Sequence, residues 1–193
     1  MEPRTDLKLD APLEMANWRP VVHWLLVLPH MIIAGALSSL GSAVALVSWF
    51  IIVFTGELPD GLAKLQCLVI RYQARAYSYL LWLREPYPAF DFSMTEDEPG
   101  GDPLSVTIRP QLTDRNRLTV GLRFIWVIPI AIFLALVILV GYVVAFVGFF
   151  VVLFTGRWPE GLRDFLVGVM RVGTRVTAYC YLLDDDYPPF SLD

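Results

Sequence analysis

Phe54–Leu62 reads FTGELPDGL, and Phe154–Leu162 reads FTGRWPEGL. The same pattern thus occurs twice, 100 residues apart. An apolar run of membrane length precedes each copy, and a segment of helical character with two arginines follows it. With residue n set against n+100 over Trp18–Phe92, 22 of 75 positions are identical without a gap. They include Pro29/Pro129, Gly41/Gly141, Arg71/Arg171, Arg75/Arg175 and Tyr79/Tyr179. Shared hydrophobicity would align the apolar runs, but it would not align the Thr-Gly, Pro, Gly and Arg positions. The chain therefore divides into a polar tail (1–17), a first repeat (18–92), an acidic linker (93–117) and a second repeat (118–193).

Of the 193 residues, 56% are hydrophobic; a soluble domain would have about 45–50%. The excess lies in Val21–Phe54 and Leu118–Phe154, which is the distribution of a membrane protein. The net charge of −4 argues against nucleic-acid binding. The two cysteines, Cys67 and Cys180, lack metal spacing and read as free thiols. The N-terminal stretch has no apolar core of a signal peptide, so insertion is expected to use the first apolar run.

A helix of about 35 residues would be roughly 52 Å long, against a hydrocarbon core of about 30 Å. A hairpin in each copy is therefore expected, turning at Ala36–Val44 and Val137–Ala145. Four crossings would put every basic flank on one side and both termini in the cytoplasm. The rival is two long helices, tilted or kinked at Pro29 and Pro129.

Behind each repeated turn, Gly61–Leu83 and Gly161–Leu183 read as amphipathic helices. Arg71, Arg75 and Tyr79 are spaced i, i+4, i+8, as are Arg171, Arg175 and Tyr179. Each set is expected on one face, with its arginines toward lipid headgroups or an acidic partner. In the turns themselves, Thr55, Gly56, Pro59 and Gly61, with Thr155, Gly156, Pro159 and Gly161, are expected to make a tight exit, the threonines capping freed backbone groups. The linker tract Thr95–Asp102 reads as solvated, and Leu104–Arg109 as a short strand without an evident partner.

These residues resemble a widespread family of bacterial membrane domains of unknown function. The resemblance rests on Ile128-Pro129, FTGRWPEGL, the R-x-x-x-R-x-x-x-Y helix, LLDDDYPPF (Leu182–Phe190) and the lead-in TIRPQLTDRNRL (Thr107–Leu118). The first copy departs from it at Glu57 and at LWLREPYPAF (Leu81–Phe90). The resemblance implies a bacterial cytoplasmic membrane location and a domain type, but no activity.

No catalytic set stands out, since there is neither a nucleophile motif nor HExxH nor a dinucleotide glycine pattern. His30, inside the first apolar run, reads as a neutral histidine bonded to a backbone carbonyl, or lying near the hairpin interior, rather than a proton relay. His23 and Arg123 read as interfacial, and Asp184–Asp186 as a solvated loop that pairs with the stripe arginines rather than binding a cation. The expected fold is an all-α integral membrane tandem repeat. The expected role is a structural or accessory subunit, with no cofactor. Its expected partners are lipids, anionic ones among them, and another protein or a second copy. A transporter or channel component and an anionic-lipid-binding module are the alternatives.

Overall fold

The computed structural model describes residues 4–95, 98 and 101–193. In chain order these form β1 (Thr5–Leu9), α1 (Arg19–Leu26), α2 (Leu28–Thr55), α3 (Asp60–Leu80), β2 (Leu104–Ile108), α4 (Arg117–Gly121), α5 (Arg123–Thr155) and α6 (Glu160–Cys180). Short helix, long helix and returning helix occur twice, so the duplication in sequence is a duplication in structure.

Neither apolar run turns back. α2 passes unbroken through Ala36–Val44, and α5 through Val137–Ala145. The hairpin expectation is corrected to one long helix per copy. The supposed turn residues are absorbed by the helix. Ser39 Oγ donates to the Gly35 carbonyl at 3.2 Å and Ser42 Oγ to that of Ser38 at 2.9 Å, both four residues back. A lone glycine costs a helix only about 1 kcal/mol relative to alanine, and Gly41 is used for packing under Tyr181. Pro29 stands in the first turn of α2, where its missing N–H costs nothing. Pro129 lies within α5. Both helices are long and apolar enough to cross a membrane.

The long helices run antiparallel between the same two ends of the molecule. At one end the Arg117 guanidinium, which opens the second copy's helices, donates to the Thr55 carbonyl that closes α2, at 2.9 Å. At the other end Asn17, ahead of α1, donates to Leu153 O near the close of α5 at 3.2 Å. The two copies are therefore related by a pseudo-twofold axis across the helices. α3 packs back along α2, and α6 along α5.

β2 has a partner after all. It pairs antiparallel with β1 around Leu7 and Val106. The tail Thr5–Leu9 alternates as a strand should, with Thr5 and Leu7 buried and Lys8 exposed. The strands cross over: β1, ahead of the first copy, rests on α6 of the second, and β2 rests on α3 of the first. α3 and α6 form the middle layer. In α3 every residue from Gln66 to Ala76 is buried except the half-buried Gln73, so it is a core helix rather than the interfacial one expected.

Candidate functional site

The arginine stripes face the strands. Arg171 Nε donates to the Leu7 carbonyl at 3.0 Å and Arg175 Nε to the Thr5 carbonyl at 3.2 Å. Arg71 Nε donates to the Val106 carbonyl at 3.2 Å. Geometry explains the match. Four residues of helix rise about 6 Å and two residues of strand about 6.8 Å. Arginines at i and i+4 therefore meet successive outward carbonyls of an edge strand. A two-stranded ribbon leaves both edges unpaired, and the guanidiniums supply the missing donors. The remaining N–H groups reach the linker and the C-terminus. Arg71 bonds Thr95 O, Arg75 bonds Asp91 O, Arg171 bonds Leu192 O and Arg175 bonds Asp193 O.

Acids complete the cluster. Asp6 lies 3.4 Å from Arg171 and 3.6 Å from Arg175. Glu98 lies 2.6 Å from Arg75 and 3.7 Å from Arg71. Burial pushes the Glu98 carboxyl above its usual range, against the pull of Arg75 and Arg71. Glu98 belongs to the tract expected to be solvated. Its side chain is 12% exposed, so this part of the linker is docked. Glu96, Asp97, Pro99 and Gly100 of that tract lie outside the described residues. Arg71 and Arg75 are 5% and 3% exposed. The headgroup-facing expectation for the stripe is corrected: these groups hold the chain's own polar layer together. Tyr79 and Tyr179 leave the stripe because eight helical residues rotate by about 80° past two full turns. Each tyrosine instead meets the start of its own copy's apolar run.

There the copies use different chemistry in one joint. The His23 ring stacks on Tyr79 with centroids 3.9 Å apart, and its Nδ1 lies 3.1 Å from the Tyr79 carbonyl. The Arg123 guanidinium lies 3.8 Å over the Tyr179 ring and donates to the Tyr179 carbonyl at 3.4 Å. Both side chains are buried, so the interfacial reading of this pair is corrected. Burial lowers the His23 pKa to about 4. An acid closes each joint. Glu85 accepts the Ala16 N–H at 2.8 Å, and Asp185 accepts the Asn116 N–H at 3.0 Å. Asp185 also binds Arg115 through both carboxylate oxygens and Arg123 at 2.7 Å. Burial alone would raise its pKa. The Arg115 hydrogen bond and charge, with the Asn116 N–H and Arg123, bring it below the usual carboxylate value. The acidic run thus pairs with Arg115, Arg123 and, at 3.7 Å, Arg4, not with the stripe.

The repeated turns are closed by the same local contacts in both copies. Thr55 Oγ1 donates to Ile51 O and accepts the Glu57 N–H, and Thr155 Oγ1 repeats both contacts with Val151 and Arg157. Gly56 and Gly156 take left-handed φ of 80° and 67°, which the helix end requires. Pro59 and Pro159 then cap α3 and α6 in extended conformation. Gly61 and Gly161 stand in the first turn of those helices, with open space around them. Each turn also receives the other copy's lead-in. Met15 N donates to Gly156 O at 2.8 Å and Arg115 N to Gly56 O at 3.2 Å. Sequence reading missed this exchange because nothing in a repeat says which copy a lead-in serves.

His30 Nδ1 lies 2.8 Å from Tyr72 Oη, and the ring stacks on Phe90 at 4.1 Å. A cleft of about 360 Å³ opens between α2 and the start of α5, lined by Ser42, Leu46, Trp49, Arg123, Phe124 and Leu182 among others. Among the described residues no group of three His, Cys, Asp or Glu is placed to hold a metal ion. Neither Cys67 nor Cys180 forms a disulfide.

This is a duplicated helical domain, locked by arginines and clad in apolar helix. The chain belongs to the family described as Domain of unknown function (DUF4389), which it matches at residues 17–91 and again at 117–191, the same hundred-residue offset. No curated protein and no solved structure matches the chain.

Proposed function

We propose that the chain is a membrane-embedded structural or accessory protein, with its termini in the cytoplasm. On this reading the long helices sit in hydrocarbon and the arginine-locked layer presents a rigid polar face to a partner or a second copy. One observation carries the proposal. The most apolar windows of α2 and α5 have mean hydropathies of 2.1 and 3.1, yet only 17% of each is buried within the chain. Core helices of a soluble protein would be covered. Ile132, Leu136, Leu139, Val143, Phe146 and Phe150 instead follow one another along α5 with 42–65% of their surface bare. Removing that area from water is worth about 25 cal/mol per Å².

The buried guanidiniums favour a structural role over catalysis. The Nε donors of Arg71, Arg171 and Arg175 go to backbone carbonyls, and Arg75 is paired with Glu98. Fractionation tests the membrane assignment: the chain should stay with membranes through an alkaline carbonate wash and be released only by detergent. Recovery in the wash rejects it. Purification in mild detergent then tests the accessory role, which requires a stoichiometric protein partner or a defined oligomer. A lone chain that moves solute across liposomes would favour the transporter alternative.

A further inference from the structure

The apolar layer and the charged layer lie side by side, and this constrains how the molecule meets a bilayer. α3 and α6 run alongside α2 and α5, and the strands rest on α3 and α6. If the long helices stood upright across a membrane, the middle layer and the ribbon would descend with them. Arg171 is near the midpoint of α6 (Glu160–Cys180) and holds the Leu7 carbonyl. Lys8, the next residue, has a side chain 78% exposed. An upright molecule would point that ammonium into lipid near mid-depth, together with the exposed Ser105 and Thr107 on the same ribbon. Charge and unpaired polar groups are costly there.

Laid flat, the conflict disappears. A helix is about 10 Å thick with its side chains, and one leaflet's hydrocarbon is about 15 Å deep, half of the ~30 Å core. We propose that the two long helices lie parallel to the membrane plane within a single leaflet, so that the protein enters from one side and does not cross. This inference rests on the membrane reading above. The hydrocarbon of that leaflet is the occupant of the bare faces. From Phe124 to Phe154, α5 carries no charged residue, while the ionic groups gather on the opposite layer. A protein partner would bring a polar rim to set its register, and α5 has nothing to answer it. A one-leaflet placement also keeps every basic flank on one side, the very condition that favoured hairpins in the sequence.

Glu57 and Arg157 provide the test. Both are exposed and lie just past the ends of α2 and α5, at opposite ends of the apolar layer. In a background with Cys67→Ala and Cys180→Ala, single variants Glu57→Cys, Arg157→Cys and Lys8→Cys would be treated with a membrane-impermeant maleimide, in sealed cells and in inside-out vesicles. All three should label in inside-out vesicles and, in sealed cells, only after permeabilisation. Labelling of Glu57→Cys and Arg157→Cys from opposite sides overturns the proposal and leaves the membrane reading standing. Release by carbonate, or a detergent-free soluble dimer, overturns both.

Discussion

At the scale of single residues, the joint between His23 and Tyr79 carries a histidine titration that its counterpart lacks. His23 is buried, and its folded pKa of about 4 lies below the ordinary 6.5. The unfolded chain therefore binds the proton first. Stability is unaffected above pH 6.5 and falls as pH drops from there toward 4. The loss at the acid end is ~3 kcal/mol at most, by the conversion of pKa units to free energy. Asp185 also loses its ion pairs in acid, its pKa being depressed, so the histidine's share must be isolated by difference. His23→Phe keeps a ring to stack on Tyr79 and removes the proton site. Denaturant unfolding in detergent at pH 7 and pH 4.5 should show a smaller acid loss for the variant than for the parent chain. An equal loss would mean that His23 titrates normally. The sequence displayed His23 and Arg123 as an aligned pair, but periodicity cannot say that a residue at a run's edge is buried. What decides that is Tyr79, 56 residues away.

At the scale of elements, the seam between each long helix and its returning neighbour is narrow. Along α2 the buried positions include Ala34, Gly41 and Ser48, spaced by seven; along α5 they include Gly141, Gly148, Ala145 and Val152. Such spacing keeps one stripe of a helix facing a partner. The copies solve the end of this seam differently. In the second, Gly148 lies so close to Trp158 that an added Cβ would be 2.2 Å from the indole. In the first, the same two positions hold Ser48 and Leu58. A smaller neighbour thus goes with the larger helix residue, a compensation visible inside one chain. Gly148→Ala should cost about 1–3 kcal/mol, as overpacking does. Gly148→Ser should cost at least as much for the same reason. Trp158→Leu, which opens a void and frees the Trp82 carbonyl from the indole N–H, should be destabilising by itself. Gly148→Ser combined with Trp158→Leu, which copies the first repeat's pair into the second, should recover part of the loss. Thermal unfolding of these two single variants and the double variant should therefore be non-additive. Additive costs would refute the pairing. Gly141→Ala, whose Cβ would meet Val169 at an ordinary 3.7 Å, is the tolerated control. The repeat, the helices that follow the turns and the capping threonines were all legible from sequence. Helix continuity was not: serine and glycine mark turns in water, yet in an apolar helix the serines back-bond and the glycines become contact points. Neither was the burial of the stripe, because an arginine that faces a phosphate and one that faces a strand carbonyl have the same spacing.

At the scale of the whole molecule, the two copies are woven together. β1 belongs to the first half and packs on α6 of the second; β2, which leads into the second half, packs on α3 of the first. Leu58 N donates to Leu112 O at 2.7 Å and Trp158 N to Leu13 O at 2.9 Å, so each turn is sealed by the other copy's lead-in. The partners Leu13 and Leu112 are offset by 99 residues, whereas Met15 and Arg115 are offset by 100. The second lead-in thus holds one more residue between its two contacts, and Asp114 there takes a positive φ of 55°. The exchange survives that extra residue, which suits a lead-in held by backbone hydrogen bonds rather than by side-chain identity. An isolated copy would leave its turn unsealed and its arginines without strand acceptors, both costly once buried. Cleaving the chain in the linker therefore makes a decisive experiment. Residues 1–95 and 96–193, produced separately, should each be aggregated or protease-sensitive in detergent. Produced together, they should co-purify in equal amounts, held by the paired strands and the crossed lead-ins. Arg171→Met with Arg175→Met in the second half should weaken that association several-fold, since it removes the donors to Leu7 and Thr5 of the first. Two halves that each give a monodisperse, protease-resistant particle alone would show that the repeats fold independently and that the crossing is incidental.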